Sequence, residues 1–262
     1  MRPHLAFDVP LMAGSVALLA GGLPWAAAGC VVAGAGLHAW AVVHPRSRLY
    51  LPVIWRLPAT APLVALTFDD GPDPEVTPRL LDLLAAQGAR ATFFVVGVHA
   101  RAHGALLRRM RDEGHALGLH SDAHSRWFNT WRVGRVMADL EANAAAIEDA
   151  TGVAAPRLFR PPVGLKNPQV AEAVRRLNLV CVTWTARGRD TGTATPAIVA
   201  ARLRRGLLPG GILTLHDGYE PGRPRRRDTC LAVLPLVLAE ARSRGLRPCA
   251  LAVEAQRVVP LD

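Results

Sequence analysis

The stretch LVALTFDDGP, residues 63–72, decides how this chain is read. Leu63 to Phe68 is a short, continuous apolar run, the pattern of a strand buried on both faces. It stops at Asp69, Asp70, Gly71 and Pro72, so two adjacent carboxylates stand at a strand terminus before a Gly-Pro turn. Adjacent carboxylates repel. They are tolerated most easily where a cation lies between them or where one works as a base with a shifted pKa. Asp-Asp-Gly-Pro is equally a turn and helix-start signal, and this segment alone does not choose between the two.

The same pattern repeats along the chain. Further strand-like runs lie at Ala91 to Val96, His115 to Leu119, Arg157 to Arg160, Leu179 to Trp184, Gly211 to Leu215 and Leu246 to Val253. Between them the spacing predicts helices near Val76 to Gln87, Ala102 to Glu113, Val133 to Ala150, Pro168 to Leu177, Pro196 to Gly206 and Asp228 to Arg244. Strand and helix alternate about seven times. That predicts an α/β fold of parallel strands joined by right-handed crossovers, either a barrel or an open sheet. In both, the polar residues that end the strands converge on one face.

The N-terminus obeys a different rule. From Val9 to Val43 the chain is apolar and holds no Asp, Glu, Lys or Arg, a run longer than the roughly 7 to 15 residues of a secretory signal core. It reads as membrane-embedded, with Gly21, Gly22 and Pro24 dividing it into one or two spans. A hairpin would return the chain to its starting side, and a single span would carry the C-terminal part across. Arg2 precedes the run while Arg46, Arg48 and Arg56 follow it, so flanking charge favours a cytoplasmic domain only weakly. The expected division is a membrane segment and joint over residues 1–57 and a catalytic domain over 58–262. The expected location is integral to a membrane, taken to be the bacterial inner membrane, with the side of the catalytic domain open.

Bulk properties narrow the class of partner. The chain has 262 residues, half of them apolar, enough for a sizeable core, and a formal charge of +10 carried almost wholly by arginine, with Lys166 the single lysine. Such a balance suits lipid headgroups, phosphorylated glycans or nucleic acid. No nucleic-acid recognition motif accompanies it, so nucleic acid is not expected. Cys30, Cys181, Cys230 and Cys249 show no C-x-x-C spacing and do not read as a zinc or redox site, and whether Cys230 and Cys249 pair depends on the compartment.

The strand ends carry the chemistry. The third run ends in His120, Ser121, Asp122, Ala123 and His124, two histidines that share a face if the loop makes one helical turn. Two imidazoles and one carboxylate make a three-ligand metal set with positions open to water, as a catalytic site requires. The fourth run ends in Phe159-Arg160-Pro161-Pro162-Val163-Gly164, the fifth in Trp184 with Asp190 beyond it, and the sixth in Leu213-Thr214-Leu215-His216-Asp217.

Taken in order, Thr-Phe-Asp-Asp-Gly-Pro, His-Ser-x-x-His, Arg-Pro-Pro and Leu-x-Leu-His-Asp resemble the motifs of the polysaccharide deacetylase family, also called carbohydrate esterase family four or the NodB homology domain. The resemblance covers about three quarters of the chain. It implies a distorted (β/α)7 barrel of NodB type and a metal-dependent hydrolase that removes N-acetyl groups from an amino-sugar-containing glycan or glycolipid. In that reading Asp69 is the general base, Asp70, His120 and His124 hold a divalent metal (zinc, with cobalt or nickel possible) and His216 is the general acid. Arg160 orients the base and Asp190 tunes the acid. Pro161, Val163, Trp184 and Leu215 bind substrate, Val163 through its backbone N–H and the last two as walls of an acyl pocket.

Where the family commonly has Tyr after Arg-Pro-Pro this chain has Val163, and Arg187 and Thr191 replace a common Asp and Trp. These departures spare the implied catalytic groups and leave substrate choice open. The alternatives are a deformylase, an O-acetyl esterase on sugars, or a catalytically silent glycan-binding module. A basic loop, Arg223, Arg225, Arg226 and Arg227, is either a solvated surface or a phosphate clamp at the mouth of the site, and in the second case the partner is a lipid-linked or nucleotide-linked sugar. Oligomeric state is not legible.

Overall fold

The computed structural model describes residues 5–222, 228–254 and 257–261; the basic loop from Arg223 to Arg227 lies outside them. The chain opens with two apolar helices, α1 (Leu5–Ala20) and α2 (Pro24–Val43), joined by a tight turn. They pack antiparallel. Asp8 on α1 meets His38 on α2 at 2.7 Å, and Leu11 lies so close to Gly34 that any side chain there would collide with it. Ala27, Gly34 and Ala41, seven residues apart, are the buried positions of α2, and small residues at such a seam let two backbones approach. The outward faces carry Met12, Val16, Leu19, Trp25, Val31 and Val32, all exposed.

The joint after α2 is built into the domain. Tyr50, Leu51, Val53 and Leu57 are buried, and Ile54 bridges to Val182. Lys166, the single lysine, is also buried and donates from Nζ to the His44 carbonyl at 2.7 Å, while its backbone N–H donates to the Val42 carbonyl. A cation bonded to the carbonyls at a helix C-terminus is favourably placed in the helix dipole. This contact fastens the foot of α2 to the rest of the molecule.

Beyond it the elements run β1 (Leu63–Asp69), α3 (Val76–Ala86), β2 (Thr92–Val95), α4 (Gly97–Ala102), α5 (Gly104–Asp112), β3 (Ala116–Leu119), α6 (Val133–Thr151), β4 (Leu158–Phe159) and α7 (Pro168–Arg176). They continue with β5 (Val180–Cys181), β6 (Ala186–Arg187), α8 (Pro196–Leu203), β7 (Gly211–His216), α9 (Thr229–Ser243), β8 (Arg247–Glu254) and β9 (Arg257–Leu261). The sheet order is β5-β4-β3-β2-β1-β7-β6, with every neighbouring pair parallel. All seven residues of β1 are buried, as a central parallel strand requires. Helix starts follow local chemistry: Asn167 and Thr195 cap α7 and α8 by accepting from backbone N–H groups three residues on, each followed by a proline pre-set for a first helical turn.

The fold is the expected α/β barrel type, a curled sheet of parallel strands, and its closure departs from a simple sevenfold alternation. The fifth expected strand divides. Its start, β5, pairs with β4, and its continuation, β6, pairs with β7, so one stretch of chain forms both ends of the sheet. Between them Ile54 accepts from Thr183 and donates to Cys181, while Val182 still donates to Phe159 of β4 and Thr185 already donates to Ile212 of β7. The helix expected over Ala102 to Glu113 is α5, and a further short helix, α4, precedes it across His103 at φ −132°. Strand β9, antiparallel to β8, was not anticipated.

Candidate active site

Strand register sets the site. Asp69 at the end of β1 lies directly beside His216 at the end of β7, and Leu119 pairs with Phe159, so the next residues, His120 and Arg160, leave β3 and β4 at the same level. Their contact is direct: His120 Nδ1 lies 2.8 Å from the Arg160 carbonyl. A carbonyl only accepts, so Nδ1 carries the proton and Nε2 turns a lone pair into the site.

That lone pair points at Asp70. Nε2 of His120 and Nε2 of His124 each lie 3.3 Å from Asp70 Oδ1, and the three candidate ligand atoms fall within 4.8 Å of one another. All three residues are buried, yet Asp70 Oδ1 has no hydrogen-bond partner. An orphaned carboxylate oxygen facing two imidazole nitrogens is costly unless a cation takes the space between them. The residues present therefore fit a divalent metal. Burial alone would raise the Asp70 carboxyl, but His120, His216 and His124 outweigh it and hold it well below the usual carboxylate range.

The loop that presents the histidines does not make a helical turn. Ser121 and His124 take positive φ of 76° and 46°, and Asp70 takes 71°. Such values are uncommon outside glycine and persist where surroundings over-determine them. Here Ser121 Oγ accepts from the His124 N–H, Asp139 accepts from the Asp122 N–H, and Arg101 grips the Asp122 carboxylate at 2.7 and 2.9 Å. On the other side Gly218 packs so closely that an added Cβ would strike the Asp70 carbonyl.

The two flanking groups each have a buried partner. Arg160, fully buried, donates to Asp69 at 2.6 Å, to Thr67 Oγ1 at 2.8 Å, and to the Val182 and Thr183 carbonyls. Its guanidinium also lies 4.0 Å over the Phe94 ring. His216 Nδ1 lies 2.8 Å from Asp190, whose other oxygen accepts the His216 backbone N–H. Burial would lower the His216 pKa, but the charge and hydrogen bond of Asp190 prevail and raise it. With Nδ1 so engaged, Nε2 is left to face the pocket.

The pocket holds about 70 Å³, room for a few heavy atoms, and is lined by Asp69, Asp70, His120, His124, His216, Val163, Trp184 and others. Pro161 and Leu215 stand behind the lining: both are buried, and Leu215 belongs to the core, paired with Phe68. Sequence reasoning missed Asn143, which accepts from the His120 N–H and donates to the Val95 carbonyl, and Glu220, a lining residue 3.2 Å from Arg126. It also missed the place of Asp217, fully buried and bonded by Thr77 Oγ1 at 2.6 Å, where burial pushes the carboxyl up to about 7. A lone polar residue in a helix or loop gives no pattern that would have singled these out.

Carboxylates, imidazoles and a buried arginine gathered at the C-terminal ends of parallel strands are the equipment of a metal-assisted hydrolase. A family model described as polysaccharide deacetylase matches residues 56–182. The chain is 36% identical over 202 residues to a chitooligosaccharide deacetylase of Sinorhizobium fredii, covering 75% of this chain and 93% of the relative. It is 31% identical over 197 residues to a peptidoglycan-N-acetylglucosamine deacetylase of Bacillus cereus, covering 74% and 89%. Its fold superposes with a TM-score of 0.67 on a family 4 carbohydrate esterase from Streptomyces lividans solved with acetate, at 28% identity and covering 76% and 98%. The chain belongs to the polysaccharide deacetylase family, and its enzyme class is carbohydrate deacetylase.

Proposed function

We propose that the protein hydrolyses the N-acetyl group of an amino sugar in a glycan or glycolipid, with Asp69 as base and His216 as acid. The observation that carries this is their placement: they are direct neighbours across β1 and β7, each held by its own buried partner, Arg160 and Asp190. Asp70, His120 and His124 would hold the cation, zinc by donor chemistry, with cobalt or nickel as alternatives. Such a cation supplies polarisation of the amide carbonyl and a lowered pKa for water.

The chain's own groups carry the protons. Asp69, fixed by Arg160, takes a proton from the water as its oxygen bonds to the acetyl carbon. The Val163 N–H stabilises the resulting oxyanion, a contact worth roughly 3 to 4 kcal/mol in other enzymes. His216 then gives its Nε2 proton to the sugar nitrogen as the C–N bond breaks, with Asp190 favouring the charged ring. Acetate and a free amine leave. Trp184 walls the acyl group.

We also propose that residues 1–57 form a membrane segment and joint and that 58–262 form the catalytic domain. The helix Pro24–Val43 spans about 30 Å at 1.5 Å per residue, the thickness of a bilayer core. The apolar outer faces of α1 and α2 support a hairpin anchored in the bacterial inner membrane, with residue 5 and the domain on one side.

The test is release of small acids from a panel of acylated sugars by metal-loaded protein, beside Asp69→Asn and His216→Ala. Acetate with a new amine, lost in both variants and after chelation, is expected. Formate would mark a deformylase, acetate with a new hydroxyl an O-acetyl esterase, and silence in folded protein a glycan-binding module.

A further inference from the structure

Beside the active-site pocket runs a groove of about 860 Å³ that the chemistry above does not use. Its lining holds Arg46, Arg187, Arg189, Arg202 and Arg205 and, among the described residues, no Asp or Glu. The arginine ion pairs found among the described residues belong to other arginines. Five guanidinium groups without carboxylate partners repel one another, an arrangement that an anion with several oxygens relieves through charge-assisted bonds. Arg187 adds a sharper signal: its Nε is buried without a hydrogen-bond partner while its guanidinium lies 5.3 Å over the Trp184 ring. Arg202 donates to the Gly188 and Arg189 carbonyls and so holds the loop that bears Arg189.

What the groove adjoins says what the anion is attached to. Of its lining, Trp184 and Arg187 also line the pocket of Asp69 and His216. His44, Pro45 and Arg46 in the same lining directly follow α2 at the foot of the apolar hairpin, and the Pro45 carbonyl accepts from Thr183 Oγ1, next to Trp184. A ligand in the groove therefore touches both the wall of the catalytic pocket and the residues where a bilayer surface would stand. Neutral glycans have no use for five cations. We propose that the groove binds the phosphate or diphosphate that joins the amino sugar to a membrane lipid, so that the substrate is a lipid-linked sugar presented from the bilayer. This rests on the deacetylase and membrane-anchor readings above.

The full chain is placed in nanodiscs of neutral phosphatidylcholine and given either N-acetylglucosamine diphosphate on a polyprenyl chain or neutral N-acetylated chitotetraose. The double variant Arg189→Gln/Arg205→Gln alters two exposed groove residues outside the catalytic pocket. On the diphospholipid its kcat/KM should fall tenfold or more, with less than a twofold change on the neutral sugar; turnover confined to the diphospholipid, with the same fall, supports the proposal equally. Equal falls on both substrates, or turnover of the neutral sugar alone, overturn it. So does a fall seen only when phosphatidylglycerol is added to the discs, which would assign the arginines to bulk headgroups. Acetate from neither substrate with the unaltered protein would instead overturn the deacetylase reading itself, and this inference with it.

Discussion

Arg160 offers the sharpest test of how the site is held. It has no exposed surface and donates to four partners: the Asp69 carboxylate, the Thr67 hydroxyl and the carbonyls of Val182 and Thr183. Arg160→Lys keeps the charge near Asp69 but replaces a fork of five donors by a compact ammonium, so the two buried carbonyls lose their partners. Each orphaned group costs about 1–3 kcal/mol, giving a loss of about 2–6 kcal/mol. Arg160→Met also leaves the Asp69 charge buried and alone, which adds about 3–5 kcal/mol. At about 2–4 °C per kcal/mol for a chain of this size, the midpoint should fall by at least about 4 °C for Lys and at least about 10 °C for Met. Tryptophan fluorescence on the full chain in neutral detergent reads both, with activity measured in parallel. Because the two charges share one contact, Asp69→Asn/Arg160→Met should be destabilised by at least about 1 kcal/mol less than the sum of the single variants. A Met variant melting within 2 °C of the parent, or strict additivity in the double variant, would refute the claim that this ion pair anchors the base.

Asp190→Asn should cut kcat/KM on the order of a hundredfold. Asp190 is what raises the His216 pKa, so its loss lowers that pKa, the charged acid disappears at lower pH, and the alkaline limb of the kcat profile should move toward acid; an unmoved limb would remove His216 from the role of acid. Asp217 titrates at about 7 when folded against 3.8 unfolded, so the native state holds a proton that the unfolded chain has released between those values. The stability it contributes is present below about pH 4 and lost as the pH rises through 7; Asp217→Asn should therefore gain on the parent between pH 4 and 8 in urea unfolding, and parallel curves would contradict the assignment. Gly218→Ala drives a methyl group into the Asp70 carbonyl. It should lower kcat/KM at least tenfold and abolish any rise in melting temperature on adding zinc, which the parent should show by mass action; a variant that still responds to zinc like the parent would refute the close packing.

The strand ends were legible because each motif is local. Thr67 to Pro72, His120 to His124, Phe159 to Gly164 and Leu213 to Asp217 mark where an apolar run of strand length gives way to polar residues, and that boundary is written in consecutive residues. The long uncharged run before His44 is equally local, and length with composition suffices to read it as apolar helix. The groups that act at a distance were not legible. Asn143, Thr77 and Arg101 support the site from three different helices, and nothing in their own neighbourhoods distinguishes them from ordinary surface or capping residues.

What the sequence by itself determined is the periodicity of each segment and the chemistry at its end, because both depend on residues within a few positions of one another. Tertiary structure alone decided which segments meet. The pairing of Asp69 with His216 is a matter of strand register, and the bond from Arg160 to Asp69 spans 91 residues of chain. The division of the fifth strand around Ile54, the burial of Lys166 against the foot of α2, and the gathering of arginines from positions 46 to 205 in one groove have the same origin. Each depends on how the sheet curls and closes, a global solution to burying one core that no local stretch of residues encodes.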